Sequence, residues 1–258
     1  MLTRFLAFTL LLISFNSYSQ DLNQYEKHWY VEGADTLPYR ILLPKDYNPK
    51  KKYPLVYFLH GAGERGNDNQ KQLVHGAKLF LKDSVRNEYP TIVVFPQCPA
   101  NSFWSNVSIT FNDNKRAFTF KEAGEPTIAM KLAESLLMKL LDEYPVNKKK
   151  VYAGGLSMGG MGTFEIVRRH PNVFAAAFPI CGGGSPATAS SITKTRWWIF
   201  HGAKDDVVPP VNSEIMVTAL EAARAKVKYT LYPNANHNSW DPAFAEPELL
   251  KWLFSQKR

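Results

Sequence analysis

The sequence predicts an α/β domain with a mostly parallel central sheet and helices on both faces. Three observations predict it. Short runs rich in β-branched and aromatic residues alternate with segments of helical period. Those runs are apolar at nearly every position rather than every second one, which suits strands covered on both faces of a parallel sheet. A pair of strand-like segments precedes the first alternation, as expected where a β-pair opens such a sheet.

Taken in order, residues 25–31 and 39–43 read as the opening pair, and 44–54 as a polar, lysine-rich turn. Strands are then predicted over 55–59, 91–95, 151–153, 175–180, 196–200 and 227–232. The clearest helix runs over 126–144, where Ile128, Leu132, Leu136 and Leu140 recur at helical spacing and Pro145 ends the pattern. Weaker helical patterns cover 70–81, 158–170, 212–225 and 246–254. No internal repeat, linker or composition break interrupts residues 20–258, so they are read as a single domain.

The first residues read differently. Arg4 precedes an apolar stretch over 5–13, and Ser17-Tyr18-Ser19 offers small residues at the positions a signal peptidase requires. Residues 1–19 are therefore expected to be a signal peptide and the protein to be exported. The apolar run is too short to cross a bilayer, so no stable membrane insertion is expected. The net charge of +8 is spread over small lysine groups (Lys50 to Lys52, Lys148 to Lys150, Lys226 and Lys228) at turns and strand ends. Such groups are normally solvated, which argues against a nucleic-acid partner. The two cysteines, Cys98 and Cys181, follow different strands, and no Cys/His cluster has zinc-ligand spacing, so no metal is expected.

In open α/β sheets function gathers beyond the carboxyl ends of the strands. One such segment is Gly155-Leu156-Ser157-Met158-Gly159, a G-x-S-x-G motif between a predicted strand and a predicted helix. A serine at the apex of that abrupt turn is exposed, and the glycines on either side leave room for the backbone to double back. The backbone N–H of Met158 then lies at a helix N-terminus, where negative charge is stabilised. A serine needs a base, and the base needs a carboxylate. His237, in the polar loop after the last strand, is the base by position. His170 ends a helix, and His201 is read as packed at a strand end. Both Asp205 and Asp206, after the seventh strand, qualify chemically as the acid.

These residues, with His60-Gly61-Ala62-Gly63, resemble the α/β-hydrolase superfamily. The runs ILLPKDYNPKKKYPLVYFLHGAGERGNDN, GLSMGGMGT and HGAKDDVVP are similar to bacterial secreted esterases related to feruloyl and acetyl-xylan esterases. The likeness extends over about residues 40–240. It implies a Ser157, His237, Asp205 triad, because the family's acid is the aspartate of H-G-x-x-D, although Asp206 beside it is a departure from the family pattern. It also implies an oxyanion hole from the N–H groups of Ala62 and Met158, acyl transfer through an acyl-enzyme, and no cofactor. The superfamily's strand order sets two strands between those that Cys98 and Cys181 follow. At about 4.8 Å per strand that separation is too great for a disulfide.

Residues 101–124 read as a long loop carrying Phe103, Trp104, Phe111, Phe118 and Phe120. Loops of this length often bind ligands, and Trp104, nearest the strand end, is taken as the substrate-binding aromatic. Glu64 and Arg65 are expected to pair with one another. The leading expectation is a serine carboxylic-ester hydrolase acting on acylated carbohydrate, with acetyl or feruloyl esters as substrates. A serine peptidase of the prolyl-oligopeptidase-like type is the alternative, and a non-catalytic binding module a third.

Overall fold

The computed structural model describes residues 21–112 and 115–258. The expected signal peptide and its cleavage site lie outside the described residues. The strands are β1 (Glu26–Glu32), β2 (Asp35–Leu42), β3 (Tyr53–Leu59), β4 (Ile92–Pro96), β5 (Val107–Asn112), β6 (Lys115–Phe120), β7 (Val146–Leu156), β8 (Ala176–Ile180), β9 (Arg196–Gly202) and β10 (Val227–Tyr232). The helices are α1 (Ala77–Leu81), α2 (Asp83–Glu88), α3 (Ile128–Glu143), α4 (Met158–Arg169), α5 (Val211–Ala222), α6 (Trp240–Phe244) and α7 (Leu249–Ser255).

Eight strands form one sheet in the order β1-β2-β4-β3-β7-β8-β9-β10. β2 is antiparallel to both β1 and β4, and every pairing from β4 to β10 is parallel. The predicted mostly parallel sheet is thus present, with the opening pair at one edge. Its two faces follow from the period of two along each strand. Along β3, Leu55, Tyr57 and Leu59 join a core with Leu132 and Leu136 of α3, Phe164 of α4 and Met216 of α5. Val56 and Phe58 point the other way, to Phe80 of α1 and to Leu253 and Phe254 of α7. The fully apolar runs in the sequence are this double burial.

α3 begins where Thr127 Oγ1 accepts from the N–H of Met130, an N-cap. It is fixed to the sheet by Leu132, Leu136 and Leu140, each at most 2% exposed. Truncating Leu136 to alanine would cost about 2–5 kcal/mol. The helix expected over 70–81 is instead broken into a short 3₁₀ turn, Lys71–Leu73, and α1. The break is at Gly76, whose φ of +83° lets the Phe244 ring pack where a Cβ would stand 2.9 Å away.

The largest departure is in residues 101–124. They hold an antiparallel hairpin, β5 with β6, hydrogen-bonded to no strand of the main sheet. Ile109 opposes Phe118 and Phe111 opposes Arg116 in its register. Alternate residues therefore make one apolar face of Ile109, Phe111, Phe118 and Phe120. Ser108, Thr110 and Thr119 lie on the other. Cys98 and Cys181 are buried and free. The strands they follow, β4 and β8, have β3 and β7 between them.

Candidate active site

β7 ends at Leu156 and α4 begins at Met158, so Ser157 alone makes the turn. Its φ of +53° lies in a region that non-glycine residues rarely occupy. Its N–H is held by the carbonyl of Ile180 on the neighbouring β8, at 2.9 Å. A Cβ on Gly159 would stand 1.9 Å from the carbonyl oxygen of Leu59, and one on Gly155 would stand 2.2 Å from that of Gly159. The turn passes so close to β3 that only hydrogen fits at either position. Strain at this residue is thereby built in by packing rather than left to the loop.

His237 reaches this serine from the loop after β10. Its Nε2 lies 3.0 Å from Ser157 Oγ and its Nδ1 lies 2.8 Å from Asp205 Oδ2. Asp205 Oδ1 accepts from the N–H groups of Val207 and Val208, both at 2.9 Å, and the carboxylate is fully buried. Burial alone would raise the pKa of Asp205. Hydrogen bonds from His201, His237 and the backbone of Val208 outweigh it and hold the carboxyl well below its ordinary range. It stays an anion, so Nδ1 of His237 carries the proton it donates to Asp205, and Nε2 is free to accept from the serine. Asp206 is exposed, with its backbone N–H bound to Asn236 Oδ1. Of the two carboxylates, it is Asp205 that the structure brings to the histidine.

Ala62 and Met158 border the same cavity as Ser157 and His237. Each opens a helical turn, Ala62–Glu64 being 3₁₀, and the first N–H groups of a helix have no partner within it. The loop that carries Ala62 is braced from behind by His60, which is 2% exposed. Cys98 donates its N–H to His60 Nε2 at 2.9 Å, so Nδ1 holds the proton that bonds Gly61 O at 2.6 Å. Burial lowers the His60 pKa to about 4, and the ring is neutral at physiological pH. Arg65 closes the loop by donating to the carbonyls of Ala62 and Ser102. The expected Glu64–Arg65 pair is therefore not formed; Glu64 faces His75 at 3.9 Å instead.

Trp104 requires a correction. It is fully buried, its Nε1 donates to the carbonyl of His60, and its Cβ occupies the space beside Gly162 of α4. It supports the loop that carries Ala62 and does not line the cavity. Its neighbour Phe103 does, together with Ile109, Phe111 and Phe118 from the hairpin and Trp240 on α6. The cavity measures about 570 Å³. Trp240 sets its ring edge-on to His237, with centroids 5.4 Å apart and planes at 84°. Sequence spacing did not single out Trp240, although it lies only three residues after His237. His201, read as packed, is buried but also lies 3.3 Å from Asp205 Oδ2.

Among the described residues, Cys181, Asp205 and His237 place potential metal-ligating atoms within 4.8 Å of one another. Their chemistry is that of a hydrogen-bonded acid–base pair backed by a thiol. Burial, and then the adjacent Asp205 charge, push the Cys181 pKa far up, so the sulfur keeps its proton.

A mostly parallel sheet, a strained serine at a strand-to-helix turn and an aspartate-bound histidine against its hydroxyl define the α/β-hydrolase class. The chain belongs to the esterase family, whose model, described as "Putative esterase", matches residues 34–249. This is a family of carboxylic-ester hydrolases. Over 215 residues the chain is 24% identical to the endo-1,4-beta-xylanase Y of Acetivibrio thermocellus, covering 74% of this chain but only 18% of that much longer protein. Among solved structures it is similar to a thermostable esterase, at 37% identity and a TM-score of 0.81, over 91% of this chain and 64% of that one. A ferulic acid esterase from Anaeromyces mucronatus shares the fold at 15% identity, with a TM-score of 0.64 over 90% of each chain.

Proposed function

We propose that this chain is an exported serine carboxylic-ester hydrolase that cleaves acyl groups from carbohydrate, with Ser157 as nucleophile, His237 as base and Asp205 as acid. The observation that carries the reading is the hydrogen-bonded series from Ser157 Oγ through His237 to the buried Asp205, ending on a strained turn that opens into the cavity. Ser157 Oγ attacks the ester carbonyl as its proton passes to His237 Nε2. The oxyanion is held by the N–H groups of Ala62 and Met158. His237 returns the proton to the departing alkoxide, leaving an acyl-enzyme and a free alcohol. Water then repeats the sequence and releases the acid. The chain's own groups suffice for each step, so no cofactor is invoked.

The carbohydrate substrate is supported by two things. A xylanase is among the relatives, and the cavity sets aromatic faces beside the polar Glu64 and Arg65. Hydroxycinnamoyl or acetyl groups suit that mixture better than long acyl chains do. A fluorophosphonate probe should label Ser157 alone. Ser157→Ala should lower kcat on an aryl ester by on the order of 10⁴-fold or more while remaining folded. Labelling elsewhere, or full activity in that variant, would sink the assignment. Preferred cleavage of N-acyl dipeptide amides would favour the peptidase reading instead.

A further inference from the structure

Asp205 has a second histidine. His201, at the end of β9, is completely buried and its ring nitrogens are both engaged. Nε2 lies 2.8 Å from the carbonyl of Val208 and 3.3 Å from Asp205 Oδ2, the oxygen that His237 also uses. Both of these partners only accept, so Nε2 carries a proton and the two imidazoles donate to one oxygen. On the far side Nδ1 lies 2.7 Å from Ser213 Oγ, and that hydroxyl lies 3.0 Å from the carbonyl of Gly182. Gly182 in turn packs on the backbone of Gly160 in the first turn of α4. A buried series thus runs from the nucleophile's own helix through Ser213, His201 and Asp205 to His237. It ties together the loops after β8, β9 and β10.

We infer that His201 is a positioning residue that holds Asp205 Oδ2 and limits how much of the carboxylate's charge reaches His237, and so sets the basicity of the catalytic histidine. The inference rests on the triad reading above. A carboxylate shared between two donors stabilises each partner's cation less than one given wholly to a single donor. Removing the His201 donor should therefore make His237 more basic. The other groups facing this pair are Cys181 from the turn after β8, Ser157, and Trp240 with His75 beyond it. The exposed Lys204 and Asp206 adjoin Asp205 in sequence. None of these changes in the variants below.

Asparagine places its amide near the position of a histidine Nδ1, whereas glutamine places it near Nε2. His201→Asn can therefore keep Ser213 but loses Asp205, while His201→Gln restores a donor toward Asp205 and Val208. The pH profile of kcat/KM on an aryl acetate reads the difference. In His201→Asn the acid limb should move up by about half a pH unit or more. In His201→Gln it should stay near that of the wild type. No displacement in His201→Asn, or equal displacement in both variants, would show that the ring merely fills space. Should the asparagine variant not fold, ¹⁵N-histidine spectra of the wild-type protein decide instead. They should show His201 protonated at Nε2 and its N–H protected from exchange; an Nδ1-only tautomer would overturn the inference. Failure of the triad itself registers separately, as activity surviving in Ser157→Ala.

Discussion

Acid should weaken this protein through His60 as pH falls below the ordinary histidine range. The buried ring has a pKa lowered from 6.5 to about 4. Between those values the unfolded chain takes up a proton that the folded one refuses. Stability therefore rises with pH across the window, and it is lost as pH falls from about 6.5 toward 4. A difference of one pH unit between the folded and unfolded pKa is worth about 1.4 kcal/mol, so the loss comes to about 3 kcal/mol, a sizeable part of an ordinary domain's stability. The structural cause is specific. Nε2 accepts the N–H of Cys98, so protonating it sets one N–H against another and detaches the loop that carries Ala62 from the turn after β4. Urea unfolding at pH values spaced evenly from neutral down to the folded-state pKa, on wild type and His60→Asn, isolates the effect. Glu134, which burial raises to about 6, works in the opposite sense but is common to both proteins and cancels in their difference. The stability gap between the two should shrink by about 3 kcal/mol over that range. Parallel losses in the two proteins would refute the argument, because the slope would then come from other groups.

Asp205→Asn should cost on the order of 10³-fold or more in kcat, since the amide no longer holds the proper His237 tautomer, whereas Asp206→Asn should stay within about threefold. Initial rates on an aryl ester compare them, and a larger loss in the Asp206 variant would contradict the geometry. Phe118→Ala should raise KM for a hydroxycinnamoyl ester about tenfold more than for an acetate ester. Trp104→Ala should instead depress turnover of both esters alike and lower the unfolding free energy by about 3–5 kcal/mol, as expected for a buried support. Gly159→Ala should abolish soluble folded protein or displace the serine turn, read by circular dichroism and probe labelling, because its Cβ would meet the Leu59 carbonyl oxygen at 1.9 Å.

What the sequence made legible was whatever depends on neighbours along the chain. The strand runs, α3 and the glycine-flanked Ser157 are all local patterns, and H-G-x-x-D selected Asp205 through a known resemblance. Residues 101–124 carried a local signal too. Val107, Ile109 and Phe111 alternate with Ser108 and Thr110, a period of two obscured by the flanking asparagines. The helix over 70–81 failed for a different reason: Gly76 is required by Phe244, which is distant in sequence. The roles of Trp104 and His201 escape the sequence on the same grounds. Whether an aromatic beside a strand end faces a ligand or a neighbouring loop is set by side-chain direction in three dimensions. Nothing in the spacing of His201 and Asp205 reveals that both imidazoles meet on one oxygen.

The separate pairing of β5 with β6 has a consequence for how such an enzyme diversifies. A hairpin that, among the described residues, pairs with no strand of the main sheet can exchange residues without disturbing the register that aims Ser157. Because its cavity-facing residues alternate with those on its opposite face, Ile109, Phe111 and Phe118 can be replaced one by one while Ser108, Thr110 and Thr119 stay in contact with water. The residues that hold Ser157 and the hairpin residues that line its cavity thus lie on different pieces of the chain, and the second can change while the first is held fixed.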